Sequence, residues 1–153
     1  MKIRMAQRQD AAAMSEVLND LAAAGKRRKP GDPAFARLHY ILHPDRIQCA
    51  LAVRDDGYVC GFQSLKLAHD GNRYGTPAGW GIIGTHVRPT CARQGAGRLL
   101  FSASMKAAKL AGLPAIEAYI GANNAEAIRY YDAMGFVTYR LVEGVECKRI
   151  RVS

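Results

Sequence analysis

The chain has 153 residues, 49% hydrophobic and 23% charged. These are the proportions of one ordinary globular domain and exclude a largely disordered chain. The formal net charge of +9 attracts anions, whether nucleic acid, acidic membrane or a polyanionic cofactor, without choosing among them. No apolar run approaches the ~20 residues of a membrane helix, and Met1–Met5 lacks the apolar stretch of a secretion signal. A cytoplasmic protein without a membrane partner is therefore expected. Cys49, Cys60, Cys91 and Cys147 are scattered, with no C-x-x-C pair and no His cluster at ligand spacing. Reduced thiols and no bound metal are expected.

In chain order, Lys2 to Ala6 reads as a short strand. Asp10 then stands as N-cap of a helix over Ala11 to Ala24, with Met14, Val17, Leu18 and Leu21 on its apolar face and Gly25 as its stop. The cluster Lys26-Arg27-Arg28-Lys29 follows and reads as a solvated loop. Asp32-Pro33 opens a second helix that ends before Pro44. Ile47 to Arg54 and Tyr58 to Leu67 form a hairpin around Asp55-Asp56-Gly57. His69 to Gly79 is a loop, and Gly81 to Arg88 a strand stopped by Pro89.

Gly95 to Ala111 reads as a helix that starts at its glycines and ends at Gly112. Leu99, Leu100, Ala103, Ala107, Leu110 and Ala111 are assigned to its inner face, with Arg98, Ser102, Lys106 and Lys109 opposite. A strand over 115–120, a helix over 125–134 closed by Gly135, and a hairpin of 136–142 with 145–152 complete the chain. Interleaved helices and strands predict a mixed sheet with helices on both faces. Strand 81–88, helix 95–111 and strand 115–120 should make a right-handed β-α-β crossover with parallel strands.

Chemistry concentrates after strand 81–88, in Arg88-Pro89-Thr90-Cys91-Ala92-Arg93-Gln94-Gly95-Ala96-Gly97-Arg98-Leu99-Leu100. Glycines let a backbone curl and aim several N–H groups one way, and a helix start adds unpaired N–H groups and partial positive charge. Together they suit phosphate oxygens, with Arg88, Arg93 and Arg98 adding formal charge. There is no G-x-x-x-x-G-K-[ST] loop and no dinucleotide G-x-G-x-x-G with its acidic partner.

Val87-Arg88-Pro89 followed by Arg93-Gln94-Gly95-Ala96-Gly97-Arg98-Leu99-Leu100 resembles the acetyl-coenzyme A signature of the GCN5-related N-acetyltransferases. Further on, Asn124-x-x-Ala127-Ile128-Arg129-x-Tyr131-x-x-x-Gly135-Phe136 resembles that family's second hallmark, in the right order. The resemblance implies an α/β (α+β) fold: a mixed, mostly antiparallel central sheet with helices on both faces and a β-α-β crossover, as one domain over 1–153. It implies acetyl transfer from acetyl-coenzyme A to an amine by direct attack in a ternary complex. The sequence departs from the family at Ala92, where Arg or Gln is usual, and at Arg93, where Gly is usual.

By the same resemblance, Thr85, His86 and Val87 end the strand that pairs with the pantetheine arm. A break there would aim one N–H at the thioester oxygen. Arg93, Gln94, Gly95, Ala96, Gly97 and Arg98 would cradle the pyrophosphate, and Asn124 would hydrogen-bond the cofactor as well as cap its helix. Tyr131 is the candidate general acid for the leaving thiolate. The acceptor ammonium, of pKa ~10.4, must lose a proton. His86 and Glu117 are the candidate bases, with a water relay as the alternative. Cys91 is not expected to carry the acyl group.

The acceptor is expected over the first two helices and loop 69–79, among Lys26–Lys29, Arg37, His39 and Tyr40. That basic loop favours an amine bearing a carboxylate or phosphate, such as an amino acid or acidic peptide. Homodimers are frequent in the family. Two other classes stay open: a coenzyme A-binding regulator without catalysis, and a basic nucleic-acid-binding domain. The second has neither aromatic interleaving nor a reading motif in its favour, so no nucleic acid is expected.

Overall fold

The computed structural model describes residues 1–153. Seven strands form one sheet: β1 Lys2–Met5, β2 Arg46–Val53, β3 Val59–Leu67, β4 Gly81–Val87, β5 Ala115–Gly121, β6 Val137–Val142 and β7 Val145–Arg151. Their spatial order is β1-β2-β3-β4-β5-β7-β6, and every pairing is antiparallel except β4 with β5. The helices are α1 Ala11–Ala23, α2 Pro33–Ala36, α3 Ala96–Leu110 and α4 Ala125–Met134. This is the mixed, mostly antiparallel sheet and parallel crossover that the sequence predicts. No helix is long and apolar enough to cross a membrane.

The alternation of β2 shows how the layers close. Cys49 and Leu51 point to the face covered by α1 and α2, where Met14, Val17, Leu18, Tyr40 and Phe62 pack. Ala50 and Ala52 point to the opposite face, against Cys60, Cys91, Ala96 and Leu100. A third cluster joins α3 and α4 to the sheet through Ile83, Ala108, Ile116, Ala118, Tyr131 and Phe136. All four residues from Cys49 to Ala52 are buried, as a strand covered on both faces requires.

Three local expectations change. Asp10 precedes α1, but its side chain makes no cap. It is 6% exposed, accepts from the Gln7 N–H at 2.7 Å and holds the Arg4 guanidinium with two bonds of 2.8 Å. It closes a 3-10 turn, Arg8–Asp10, so its carboxylate faces back to β1. The inner face of α3 is Ala96, Leu100, Ser104 and Ala108, while Leu110 is 92% exposed. Small residues bring the helix close to the sheet, and a hydrophobicity count overlooks them. After α2 the helix widens into a π turn, Arg37–Ile41, which buries Tyr40 and Ile41.

The cysteines divide. Cys49 and Cys147 are free and buried, but Cys60 and Cys91 form a disulfide, which corrects the expectation of four thiols. Cys60 lies on β3, and Cys91 ends the 3-10 turn Pro89–Cys91 that follows β4. The sheet brings them together across 31 residues, a separation that local spacing rules do not register. The bond ties the loop before α3 to the centre of the sheet. A loop of this length is stabilised by about 3–4 kcal/mol in the chain-entropy view. Full reduction, or Cys91→Ser, should therefore lower the melting temperature by roughly 6–12 °C. A melting curve indifferent to reductant would exclude the bond.

Candidate active site

The site begins where two strands part. β4 and β5 pair only at Gly81–Ile116, Ile82–Glu117 and Ile83–Ala118. Beyond that, residues 84–87 stay paired with β3 on one side only, and 119–121 with β7. The open edge of β4 carries Thr85, His86 and Val87 as expected. The break expected in this strand is absent: its register with β3 is unbroken from Gly81 to Val87. Divergence from β5 exposes the backbone instead. A buried strand edge needs hydrogen-bond partners, so the cleft suits an extended chain of amide groups.

The mouth of α3 lies beyond the end of β4. Gly95, at φ 86°, is its N-cap and supplies no side-chain acceptor. The first N–H groups of the helix therefore face outward unpaired. Arg93 takes φ 63°, the only non-glycine residue with a positive φ. A glycine would take this left-handed path freely, whereas the arginine bears a strain of about 1–2 kcal/mol. Gly97 is required for contact: a Cβ there would lie 2.6 Å from the Tyr130 ring. Tyr130 OH donates to the Gly97 carbonyl at 2.7 Å, which fixes the first turn. The Gln94 amide donates to Thr90 O at 3.2 Å.

Of the three arginines assigned to phosphate, Arg93 and Arg98 are exposed and Arg88 is not. Arg88 Nε donates to Val59 O at 2.7 Å and its Nη1 to Asp20 at 2.8 Å. It locks α1 to the sheet and has no charge free for a ligand. Asn124 caps α4 by accepting from Ala127 N at 3.2 Å, and its side-chain NH2 has no protein partner.

Tyr131 is 5% exposed, and its hydroxyl is 2.8 Å from Thr85 Oγ1. The sequence reading missed what stands behind this pair. Gln63, fully buried on β3, donates to Thr85 Oγ1 at 2.9 Å and to Tyr130 OH at 3.0 Å. Ser104 of α3 donates to Gln63 Oε1 at 2.6 Å and so sets the orientation of the amide. Both Gln63 N–H groups are then committed, and Thr85 accepts one of them. Thr85 Oγ1 keeps its own proton and a second lone pair, so either hydroxyl of the Thr85–Tyr131 pair can donate to the other. Burial raises the Tyr131 pKa, so the phenol keeps its proton at neutral pH. A buried Gln in the middle of a predicted strand was the one available sequence signal.

The two candidate bases separate. His86 lines the cleft; its Nε2 lies 3.2 Å from Tyr40 OH and its ring packs on Phe62 at 4.7 Å. Burial first, then Arg27, His39 and Lys66, bring its pKa down to about 3, so it is neutral. Glu117 is fully buried and does not line the cleft. Its carboxylate accepts from Thr76 Oγ1, from Tyr139 OH at 2.7 Å and from Arg140 at 2.8 Å. It anchors β6 and loop 69–79 to β5.

On the other side of the open edge lies a cleft of about 480 Å3. Phe35, His39 and Tyr40 come from the segment after α1, Lys66 from β3, and Arg73 and Tyr74 from loop 69–79. Arg27, Arg28 and Lys29 close it as expected, whereas Lys26 turns away to Glu126 at 2.5 Å and Arg37 does not line it. No group of His, Cys, Asp and Glu is placed to hold a metal ion.

A one-sided strand edge thus leads to an uncapped helix mouth. The sequence pattern of the Acetyltransferase (GNAT) family matches residues 14–136. The chain belongs to that family. It is 33% identical over 91 residues to mycothiol acetyltransferase of Nocardiopsis dassonvillei, which is 58% of this chain and 27% of that protein. The chain thus matches about a quarter of that curated relative's length. Among solved structures, a GCN5-related N-acetyltransferase from Kribbella flavida superposes with TM-score 0.81 at 19% identity, over 98% of this chain and 96% of its own. A Salmonella typhimurium structure with its cofactor acetyl-CoA superposes with TM-score 0.78 at 21% identity, over 99% and 94%.

The strain at Arg93 is testable. Arg93→Gly should stabilise the fold by about 0.5–1 kcal/mol, because relief of the left-handed arginine exceeds the entropic cost of glycine. A lower denaturant midpoint for the variant would show that the loop does not take this path.

Proposed function

We propose that the protein transfers an acetyl group from acetyl-coenzyme A to the amine of an acceptor that carries an anionic group. The observation that carries this reading is the separation of β4 from β5 beyond Ile83, which leaves a one-sided edge that carries Thr85, with Tyr131 against it, and runs on to the loop before α3. When bound, acetyl-coenzyme A supplies an activated thioester. The residues present suit it: unpaired N–H groups at Ala96–Arg98, exposed Arg93 and Arg98, the one-sided edge of Thr85–Val87, and the free amide of Asn124.

Within this site the helix mouth grips the diphosphate, and the edge of β4 aligns the arm that follows. Tyr131 donates its proton to the departing sulfur, and the phenolate is reprotonated from the solvent that takes up the proton lost by the attacking amine. Thr85 then donates to the phenolate oxygen, and Gln63 holds Thr85 in that orientation. We assign the acceptor's proton to solvent and not to a dedicated base. His86 is neutral with its Nε2 beside Tyr40, and the Glu117 carboxylate is saturated by donors. The cations around the cleft favour the neutral amine over the ammonium and so prepare the nucleophile before attack.

Three measurements bear on this. Tyr131→Phe should lower kcat by 100-fold or more, on the order of a lost general acid, and change the coenzyme A Kd less than ~3-fold. Unchanged turnover would remove Tyr131 from the reaction. Gln63→Met should lower kcat about 10-fold with little effect on acceptor KM; an effect on KM alone would deny it the orienting role. Finally, kcat/KM should rise with pH and level off at an apparent pKa at least ~1 unit below the solution value of the amine, since a positive cleft lowers an ammonium pKa. A plateau at the solution value would show that the cations do not act on the nucleophile.

A further inference from the structure

The acceptor cleft is lined by Arg27, Arg28, Lys29, Lys66 and Arg73 and by no Asp or Glu. None of these five joins an ion pair, although Lys26, next in the chain, is held by Glu126. Lys66 is the most informative of them. It is partly buried on β3, paired in register with Ile82 of β4, and its ammonium makes no hydrogen bond to the protein. Its nearest recorded contact is the face of the Tyr40 ring, 5.3 Å from Nζ to the centroid. Burial lowers its pKa more than Cys49 and Asp45 raise it, and neither of these forms an ion pair or hydrogen bond with it. Such a group is costly until an anion meets it.

Arg73 is held more firmly than its exposure suggests. Asn72 knots its loop: the side-chain amide donates to His69 O and Thr76 O, both at 2.7 Å, and its Oδ1 accepts from Tyr74 N and Thr76 N, both at 3.1 Å. The Arg73 guanidinium lies 5.2 Å over the Tyr74 ring. Arg27 lies 5.7 Å over Phe35, and its Nε donates to Lys29 O at 2.7 Å. Aromatic shelves under guanidinium groups hold the charges in place and keep them facing the cleft. His39, among them, is brought down to about 4 by burial and then by Lys66, His43, Arg27 and Arg73. It is a neutral hydrogen-bonding group at working pH.

We infer that the acceptor carries at least two negative charges away from its amine, as a phosphate monoester, a phosphonate or a pair of carboxylates, met by Lys66 and Arg73 with the 27–29 loop closing over them. This rests on the acetyl-transfer reading above and sharpens it to a substrate class. One carboxylate satisfies one of the two cations; a dianion engages both. Lys66 and Arg73 are then specificity residues that no motif marks.

The test compares kcat/KM at saturating acetyl-coenzyme A for ethanolamine, β-alanine, aspartate and O-phosphoethanolamine. Aspartate or O-phosphoethanolamine should exceed β-alanine at least 10-fold and ethanolamine at least 100-fold; which of the two leads separates carboxylate from phosphate. Lys66→Met and Arg73→Met should each lower the dianion value at least 10-fold more than the ethanolamine value. Calorimetry of the coenzyme A-saturated protein with O-phosphoethanolamine and with inorganic phosphate reads the same subsite without turnover, and both variants should weaken it. Equal kcat/KM for ethanolamine and the dianions, or dianion binding indifferent to Lys66→Met, overturns the inference and leaves acetyl transfer standing. No thiol release with any amine, together with no coenzyme A binding, would sink the transfer reading. Phosphate binding sensitive to Lys66→Met would still support the subsite in that case.

Discussion

The structure depends on a parallel strand pair that stops early. β4 and β5 share three residue pairs and then diverge, because α4 and the hairpin of β6 and β7 draw β5 away while β3 holds β4 in unbroken register. A sheet normally leaves such backbone groups unsatisfied only at its outer edges. Here the unsatisfied groups lie in the middle of the fold. One core backs β2 and β3 against α1 and α2, and on the opposite face a second, against α3 and α4, joins β3 and β4 to β5. The gap is therefore stable without being filled, and its polar edges define the shape of what enters it.

A single buried amide links the two ends of that gap. Gln63 touches Thr85 on β4, Tyr130 on α4 and Ser104 on α3. Tyr130 in turn closes the first turn of α3 through Gly97 O. The helix mouth and the phenol of Tyr131 are thus positioned by one network, in which only the Thr85–Tyr131 pair keeps a hydroxyl proton without an acceptor. Fully satisfied buried polar groups are rigid, and rigidity is what positions a proton to within a hydrogen-bond length. The disulfide adds a second tie, from β3 to the turn that leads into the same loop.

Much of this was legible in the sequence, and the boundary is physical. Strand and helix order follow from apolar periodicity and from Pro and Gly punctuation, and the glycines at 95 and 97 are where a positive φ and a close ring contact demand them. Contacts made by long-range packing were not legible. Arg88 reads as one more phosphate-loop cation until Asp20 of α1 is found against it. Cys60 and Cys91 read as unrelated thiols until the sheet stacks them. Glu117 reads as a base on a central strand until Thr76, Tyr139 and Arg140 surround it. The inner face of α3 was misread because its closest residues are alanine and serine, which carry little hydrophobic signal.

The charge of the cleft has two consequences that bear on each other. Unpaired cations favour a neutral amine, and they also favour an anionic acceptor, whose charge would offset them. The two remain compatible because five cations line the cleft, so a bound dianion still leaves net positive charge around the amine. Position favours this further. Lys66, half-buried and without a hydrogen bond, is the cation with most to gain from a counter-ion. Arg27, Arg28 and Lys29 lie on a loop that Lys26 ties to Glu126, beside the helix that carries Asn124 and Tyr131. In the proposed complex the anion would thus be drawn toward β3 and loop 69–79, with the 27–29 loop closing over it. In the proposed reaction such a site needs no protein base: its field would make the amine a nucleophile, and the phenol would protonate the leaving sulfur.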